Sequence, residues 1–158
     1  MILKRGKEES LKRFHPWVFS GAIARMDNIE EGDLVTVYDH EGNLIGNGHY
    51  QIGSIAVRIL TFDDTEIDSA FFVKRLTEAY KMRQALGLSR PDNNAFRLVH
   101  GEGDFLPGLV VDIYGSTAVM QAHSPGMHFA RNLIADALTQ LPNGVVKNVY
   151  YKSETTLP

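Results

Sequence analysis

FRLVHGEGDFLPGLVVDIYG, residues 96–115, is the stretch that decides the fold of the second half of the chain. Two of its runs, 96–100 and 109–114, are rich in β-branched and aromatic residues and are typical of strands. Between them lies a connector with three glycines and one proline. Glycine and proline at that density interrupt regular structure and favour a tight turn. The stretch therefore predicts two strands joined by a shaped turn.

The acidic residues of this stretch allow three chemical interpretations. A phosphate loop requires glycines that open a helix, but a strand-like run follows Gly108. A carboxylate pair would use Glu102 and Asp104, although acidic residues in such turns usually cap backbone N–H groups. A metal site or small hydrolase built on His100, Glu102, Asp104 and Asp112 fits no standard ligand spacing and requires these groups to converge in a cleft. We expect these residues to serve structure.

Composition is that of a folded protein with an uneven charge distribution. Of the 158 residues, 44% are hydrophobic and 22% charged, which is close to globular averages. The formal net charge is −3, which argues against a generally basic nucleic-acid binder. Residues 1–13, however, hold five basic and two acidic side chains, a local charge of +3. Residues 67–95 hold five basic and three acidic ones, a local +2. Either region provides a basic edge suited to phosphate.

The chain has no cysteine, so disulfides are excluded. Its N-terminus lacks the apolar core of a signal peptide, and no apolar run approaches the roughly 20 residues of a membrane helix. These features predict a soluble, cytoplasmic protein without a membrane partner.

The first half of the chain predicts a small β-barrel or sandwich with one short helix. Strands are expected within HPWVFSGAI, EGDLVTVYDHEGNLIGNGHY and SIAVRIL, which begin at residues 15, 31 and 54. Because apolar residues alternate in the first of these, we predict that Trp17, Phe19 and Ile23 point inward.

The remainder predicts a small α+β layer. A linking helix over 69–88 precedes the two strands of the opening stretch, and a third strand is expected over 117–123. A helix over 125–140 follows, and a last strand over 145–152 completes the order strand-strand-strand-helix-strand. The predicted core stripe of that helix consists of Met127, Ala130, Leu133, Ile134, Ala137, Leu138 and Leu141.

Two parts of the sequence resemble one known family. The run RLVHGEGDFLPGLVVDIYG resembles the signature of bacterial S-adenosylmethionine-dependent methyltransferases that modify carbon 5 of a cytosine in large-subunit ribosomal RNA. Residues 2–66 resemble a PUA domain, an RNA-binding module found at the N-terminus of the same family. The resemblance implies a PUA-like barrel over 1–66, a linking helix and linker over 67–95, and a central α+β domain over 96–158. We expect the Rossmann-like catalytic domain of that family to be absent from these residues.

The resemblance also implies what this chain lacks. Methyl transfer in that family proceeds through a cysteine thiolate and S-adenosylmethionine, but the sequence has neither a cysteine nor a glycine loop for the cofactor. We therefore expect an N-terminal fragment that is inactive alone and holds no cofactor or metal. The alternative is a complete, non-catalytic RNA-binding adaptor. A reading frame that continues beyond residue 158 into a cofactor loop would favour the enzyme.

Large-subunit ribosomal RNA is the partner that the resemblance implies, with no role for DNA, and a homodimer remains open. RNA binding needs cations for phosphates and aromatic or amide groups for unpaired bases. The resemblance places these on the first helix and neighbouring strands, and the candidate residues are Lys4, Arg5, Lys7, Lys12, Arg13, His15, Ser20, Asn47 and Tyr50.

Overall fold

The computed structural model describes residues 1–153 and divides the chain into two compact units. The first is Met1–Ile67, and the second begins at Asp68. The last part of the predicted central domain, residues 154–158, lies outside the described residues. Among the helices that the structure describes, none combines the length and apolar character needed to cross a membrane.

The first unit is a six-stranded curled sheet with one short helix, α1, at Glu9–Lys12. Its strand order is β2-β6-β5-β4-β1-β3, antiparallel except for the β1–β4 pair. The strands are β1 at Ile2–Leu3, β2 at Trp17–Phe19, β3 at Ile23–Arg25, β4 at Leu34–Tyr38, β5 at Leu44–Tyr50 and β6 at Ile55–Thr61. Within the described residues no pairing joins β2 to β3, so the predicted small PUA-like barrel takes the form of a half-barrel.

The concave side of this sheet is filled by alternate strand residues. In β4, Val35 and Val37 are buried while Leu34 and Tyr38 are exposed, as expected for a strand with one face on the core. Strands β5 and β6 approach closely because Gly48 has no side chain. A Cβ at Gly48 would lie 2.2 Å from the Arg58 carbonyl oxygen. The core cluster comprises Leu3, Leu11, Val18, Val35, Val37, Ile45, Val57 and Ile59.

The predicted orientation of β2 is wrong. Val18 is the buried residue of this strand, whereas Phe19 is 49% exposed and Trp17 is partly exposed. Val18 lies opposite Val57, and that pair sits on the core side of the sheet. The aromatic rings of β2 are therefore on the opposite face, where solvent and ligands can reach them.

The second unit is a four-stranded sheet with helices packed on it, and it includes the helix that was predicted as a linker. Its strand order is β10-β9-β8-β7, with β10 parallel to β9 and the other pairs antiparallel. The helices are α2 at Ser69–Ala85, α3 at Pro125–Phe129 and α4 at Arg131–Thr139. The strands are β7 at Ala95–His100, β8 at Leu109–Tyr114, β9 at Thr117–Ala122 and β10 at Asn148–Tyr151.

The single helix predicted over 125–140 is interrupted. Ala130 has a ψ of 1°, far from the helical value of about −42°, so α3 and α4 are separate. Leu133, predicted to lie in the core stripe, is 41% exposed, whereas Ile134 and Leu138 are fully buried. The break at Ala130 restarts the helical phase and leaves Leu133 on the outer side.

Candidate nucleic-acid interface

The predicted cations cluster in the first unit, in residues 1–13, which we call the basic segment. All five are exposed. Lys4 Nζ donates a 2.9 Å hydrogen bond to the Gly21 carbonyl, and Lys12 Nζ lies 3.9 Å from Glu8 Oε1. Within residues 1–153, no ion pair involves Arg5, Lys7 or Arg13. The basic segment thus presents charge to solvent, which is what phosphate recognition requires.

A groove lies between α1 and β2, next to the basic segment. We call it the β2 groove, and its lining includes Lys7, Ser10, Trp17, Phe19 and Gly21. The cavity measures about 280 Å³. Its lining combines two aromatic rings with the ammonium group of Lys7, a combination suited to an unpaired base and its phosphate.

Three rings, two of which line this groove, form an edge-to-face series. The His15 and Trp17 ring centroids are 5.4 Å apart, and those of Trp17 and Phe19 are 6.3 Å apart. His15 is also held by its Nδ1, which accepts a 3.3 Å hydrogen bond from the Trp17 backbone N–H. Ser20 follows at the start of a short 3₁₀ helix and is exposed. The structure therefore brings Lys7, His15 and Ser20 to the same neighbourhood as the aromatic strand.

Asn47 and Tyr50 have partners within the fold. The Asn47 Oδ1 accepts a 2.8 Å hydrogen bond from Thr36 Oγ1. Its Nδ2 donates to the carbonyl oxygens of Asp63 at 3.4 Å and Thr65 at 3.1 Å. Tyr50 is half-buried and packs against the core cluster of the first unit. Both side chains stabilise the half-barrel.

The acidic residues of the 96–115 stretch are also tied to the fold. Asp104 is 7% exposed and receives two hydrogen bonds from the Arg83 guanidinium, at 2.8 and 2.7 Å. The same carboxylate accepts a 2.7 Å bond from the His100 backbone N–H. Asp112 pairs with Arg97 across β7 and β8, at 2.8 and 3.2 Å.

These pairs argue against the hydrolase and metal hypotheses. Asp104 and Asp112 are each held by a different arginine, and within the part of the chain that is described no group of three metal-ligating side chains occurs. The Asp112 carboxylate raises the pKa of Arg97 above its ordinary value, chiefly through their hydrogen bond. Both carboxylates are therefore best understood as counter-ions.

Phe14 and Phe19 are the surface residues that sequence reasoning missed. Phe14 is 72% exposed and lies in the turn after α1, and Phe19 was placed in the core. The sequence offers one usable signal, Pro16, which ends the helical region and makes the preceding residues a turn. It offers none for Phe19, because every residue of β2 is apolar.

Comparisons with known proteins bear on both units. Residues 1–62 match the model of the PUA-like domain. Over 144 residues, 89% of this chain, the sequence is 41% identical to ribosomal RNA large subunit methyltransferase I of Escherichia coli strain SMS-3-5. The identity is the same for the protein of that name from Shigella boydii serotype 4. Each alignment covers 36% of the relative, so the chain spans about a third of their length.

Solved structures share the fold. A Streptococcus mutans protein assigned as a SAM-dependent methyltransferase superposes with a TM-score of 0.81 at 18% identity, over 97% of this chain and 40% of that one. A second methyltransferase structure, complexed with SAH, gives 0.82 at 18% identity and the same coverage. Residues 1–62 therefore form a PUA-like domain, and the chain is homologous to ribosomal RNA large subunit methyltransferase I over about a third of that protein.

Proposed function

We propose that this chain recognises large-subunit ribosomal RNA and positions it for methyl transfer from S-adenosylmethionine to carbon 5 of a cytosine. The observation that carries the proposal is the β2 groove, where the partly exposed Trp17 and the exposed Phe19 adjoin Lys7, a cation that takes part in no ion pair within residues 1–153, in a PUA-like domain. Homology to a ribosomal RNA methyltransferase supports RNA as the partner and the cytoplasm as the place of action.

The residues divide into those that contact RNA and those that support them. Arg5, Lys7 and Arg13 are assigned to phosphates because their charge is exposed and outside any ion pair within residues 1–153. Lys4 is pre-positioned by its bond to Gly21, at the edge of the groove. Trp17 and Phe19 offer faces for bases, and His15 braces Trp17. Asn47 and Tyr50, predicted as polar or stacking partners of RNA, remain candidates, and their contacts within the fold would fix their positions.

The methyl-transfer step itself requires groups that these 158 residues do not supply. A thiolate that attacks the cytosine ring must come from cysteine, and the sequence contains none. We assign no cofactor site to the described residues. Incubation of this chain with RNA and isotopically labelled S-adenosylmethionine should therefore give RNA binding without label transfer.

Binding can be tested by fluorescence anisotropy with a labelled fragment of large-subunit ribosomal RNA over a series of salt concentrations. Lys7→Ala should weaken binding and lower the slope of log affinity against log salt by about 0.7, the value for one single-strand phosphate contact. The matched control is Lys147→Ala, an exposed lysine of the second unit. Equal effects of the two substitutions, or no binding by the unaltered chain at low salt, would refute the proposal.

A further inference from the structure

A second cavity also includes residues of α1 in its lining, and the proposed function does not use it. We call it the Phe14 pocket. Its apolar wall is formed by Leu11, Ile45 and Phe62, and Lys12, Phe14 and Leu44 line its remaining sides. The cavity measures about 280 Å³, the same as the β2 groove. All of its lining residues belong to the first unit.

Phe14 is held in an unusual conformation at this pocket. Its φ is +64°, in the left-handed region that bulky residues rarely adopt and where glycine or asparagine normally ends a helix. Hydrogen bonds fix the turn on both sides, from Phe14 N to Leu11 O at 2.9 Å and from His15 N to Ser10 O at 3.1 Å. A strained position that carries a 72% exposed aromatic ring points to a use for that ring.

The ring of Phe14 is also oriented by a neighbour. The Phe62 ring meets it edge to face, with centroids 5.3 Å apart and planes at 87°. Phe62 in turn packs against the core of the first unit, so the pair is anchored to the sheet. An anchored, exposed aromatic face beside a cavity is a platform on which another planar group can stack.

The charges around the pocket favour an anionic ligand with an aromatic part. Lys12 lines the pocket and Arg13 follows it, both exposed. The one carboxylate in the lining, Asp39, is occupied by bonds from Asn43 N at 2.8 Å, Asn43 Nδ2 at 3.0 Å and Glu41 N at 2.9 Å. The hydrogen bonds that Asn43 donates, chiefly from its side chain and then from its backbone, hold the pKa of Asp39 below its usual value. The carboxylate of Asp39 is therefore charged and bound to its own turn.

We propose that the Phe14 pocket binds one unpaired nucleobase of RNA, stacked on Phe14, with the adjoining phosphates on Lys12 and Arg13. The inference rests on the proposed function and deepens it, because it specifies a single-stranded or bulged element rather than a regular duplex. A base buried in a duplex exposes no face for stacking, whereas an unpaired base does. The two cavities, which share no lining residue, then contact two separate nucleotides of the same RNA.

The test compares Phe14→Leu, which removes the aromatic face, with Phe14→Tyr, which keeps it. Anisotropy is measured with a short single-stranded oligoribonucleotide and with the same sequence annealed to its complement. Phe14→Leu should bind the single strand about tenfold more weakly, and Phe14→Tyr should bind like the unaltered chain. Affinity for the duplex should not change. Phe129→Leu, at a 62% exposed phenylalanine of the second unit, is the matched control.

The outcomes separate this inference from the proposed function. If the unaltered chain binds RNA and Phe14→Leu binds the single strand equally well, the pocket assignment is wrong and the proposed function stands. If that variant instead loses only the apolar dye ANS, the pocket is a docking site for an apolar protein segment, which also overturns the assignment. If the unaltered chain binds neither RNA, both proposals fail. In a urea titration, Trp17 fluorescence shows whether the Phe14 variants are folded, and far-UV circular dichroism shows it for Phe129→Leu in the second unit.

Discussion

The two units use the same residue types in opposite ways. In the basic segment of the first unit, Arg5 and Arg13 are exposed, and within residues 1–153 neither takes part in an ion pair. In the second unit, Arg83 is held by Asp104 with side chains only 12% and 4% exposed, and Arg97 is held by Asp112. The charges of Arg5 and Arg13 are available to a ligand, whereas Arg83 and Arg97 are paired with carboxylates of their own unit.

This difference explains why the most distinctive stretch of sequence is not the best candidate for a site. Residues 96–115 combine glycines, a proline and carboxylates because the turn between β7 and β8 must fold back and receive Arg83 from α2. Their unusual composition reflects geometry and charge pairing. The candidate interface instead lies in the first unit, in short elements whose composition is less distinctive.

The largest expected effect is loss of stability from Asp104→Ala. Removing one partner of a buried ion pair leaves the other charge uncompensated and costs about 3–5 kcal/mol. The control is Asp92→Ala, whose partner Arg90 is exposed and lies 3.2 Å away, with an expected cost below about 1 kcal/mol.

Urea unfolding can assign that loss to one unit. Trp17, the single tryptophan, reports on the first unit by fluorescence, whereas far-UV circular dichroism is dominated by the 17-residue α2 and the other helices of the second. Asp104→Ala should shift the dichroism transition more than the fluorescence transition, and leave the affinity for RNA unchanged. Reduced RNA affinity in a folded Asp104→Ala variant would contradict the assignment of RNA recognition to the first unit alone.

Gly108→Ala should destabilise the second unit by a somewhat smaller amount. Gly108 has a φ of +83°, and an added Cβ would lie 2.5 Å from Ser124 Oγ, the atom that caps α3. Gly115→Ala is a matched control because the φ of Gly115 is +61°, but the nearest atom that an added Cβ would meet, Asn94 Nδ2, is 3.9 Å away. Both substitutions place an alanine at a positive φ, so that cost is the same in the two variants. The clash with Ser124 should therefore lower the free energy of unfolding of Gly108→Ala by about 1–3 kcal/mol more than that of Gly115→Ala, measured by dichroism in urea. Equal costs would show that the turn is loosely packed.

The sequence predicted the elements of the second unit better than their long-range pairing. Strand β8 occupies the predicted residues 109–114, and the predicted helix over 69–88 ends only three residues earlier, at Ala85. Hydrophobic periodicity and turn residues are local signals, and they act within these segments. The Arg83–Asp104 pair joins residues 21 positions apart, and no local sequence pattern predicts it.

The first unit shows the corresponding limit for surfaces. Trp17, Val18 and Phe19 are all apolar, so alternation along three residues predicts an inward face equally well in either phase. Only the pairing of Val18 with Val57 determines which face of β2 is buried. For the same reason, the sequence located the basic segment but not the aromatic rings that complete the candidate interface. The assignment of its nine residues to RNA stays a prediction.

His49 gives the first unit a buried polar group of its own and a third prediction. It is 5% exposed, its Nδ1 has no hydrogen-bond partner among the described residues, and burial lowers its pKa to about 4. Below the ordinary pKa of about 6.5 the unfolded chain binds a proton that the folded chain does not, so stability falls as pH falls from 6.5 towards 4.

The expected loss from this one group is about 2 kcal/mol between pH 7 and pH 5. Trp17 fluorescence in urea at the two values measures it, and His49→Gln should flatten the dependence, whereas His123→Gln, at an exposed histidine of the second unit, should not. An unchanged pH dependence in His49→Gln would mean that His49 is as protonatable in the folded chain as in the unfolded one.

The smallest expected effect tests the contrast directly. Arg13→Gln removes an exposed charge of the basic segment without leaving a buried partner, so stability should change by less than about 0.5 kcal/mol. Its affinity for RNA should nevertheless fall at low salt, and the salt slope should decrease by about 0.7. Arg90→Gln, at an arginine of the second unit that is paired with Asp92, should leave both quantities unchanged. If Arg90→Gln lowers the slope as much as Arg13→Gln, paired charge in the second unit also contacts RNA. The division between a recognising and a structural unit would then be replaced by RNA contacts made by each of the two units.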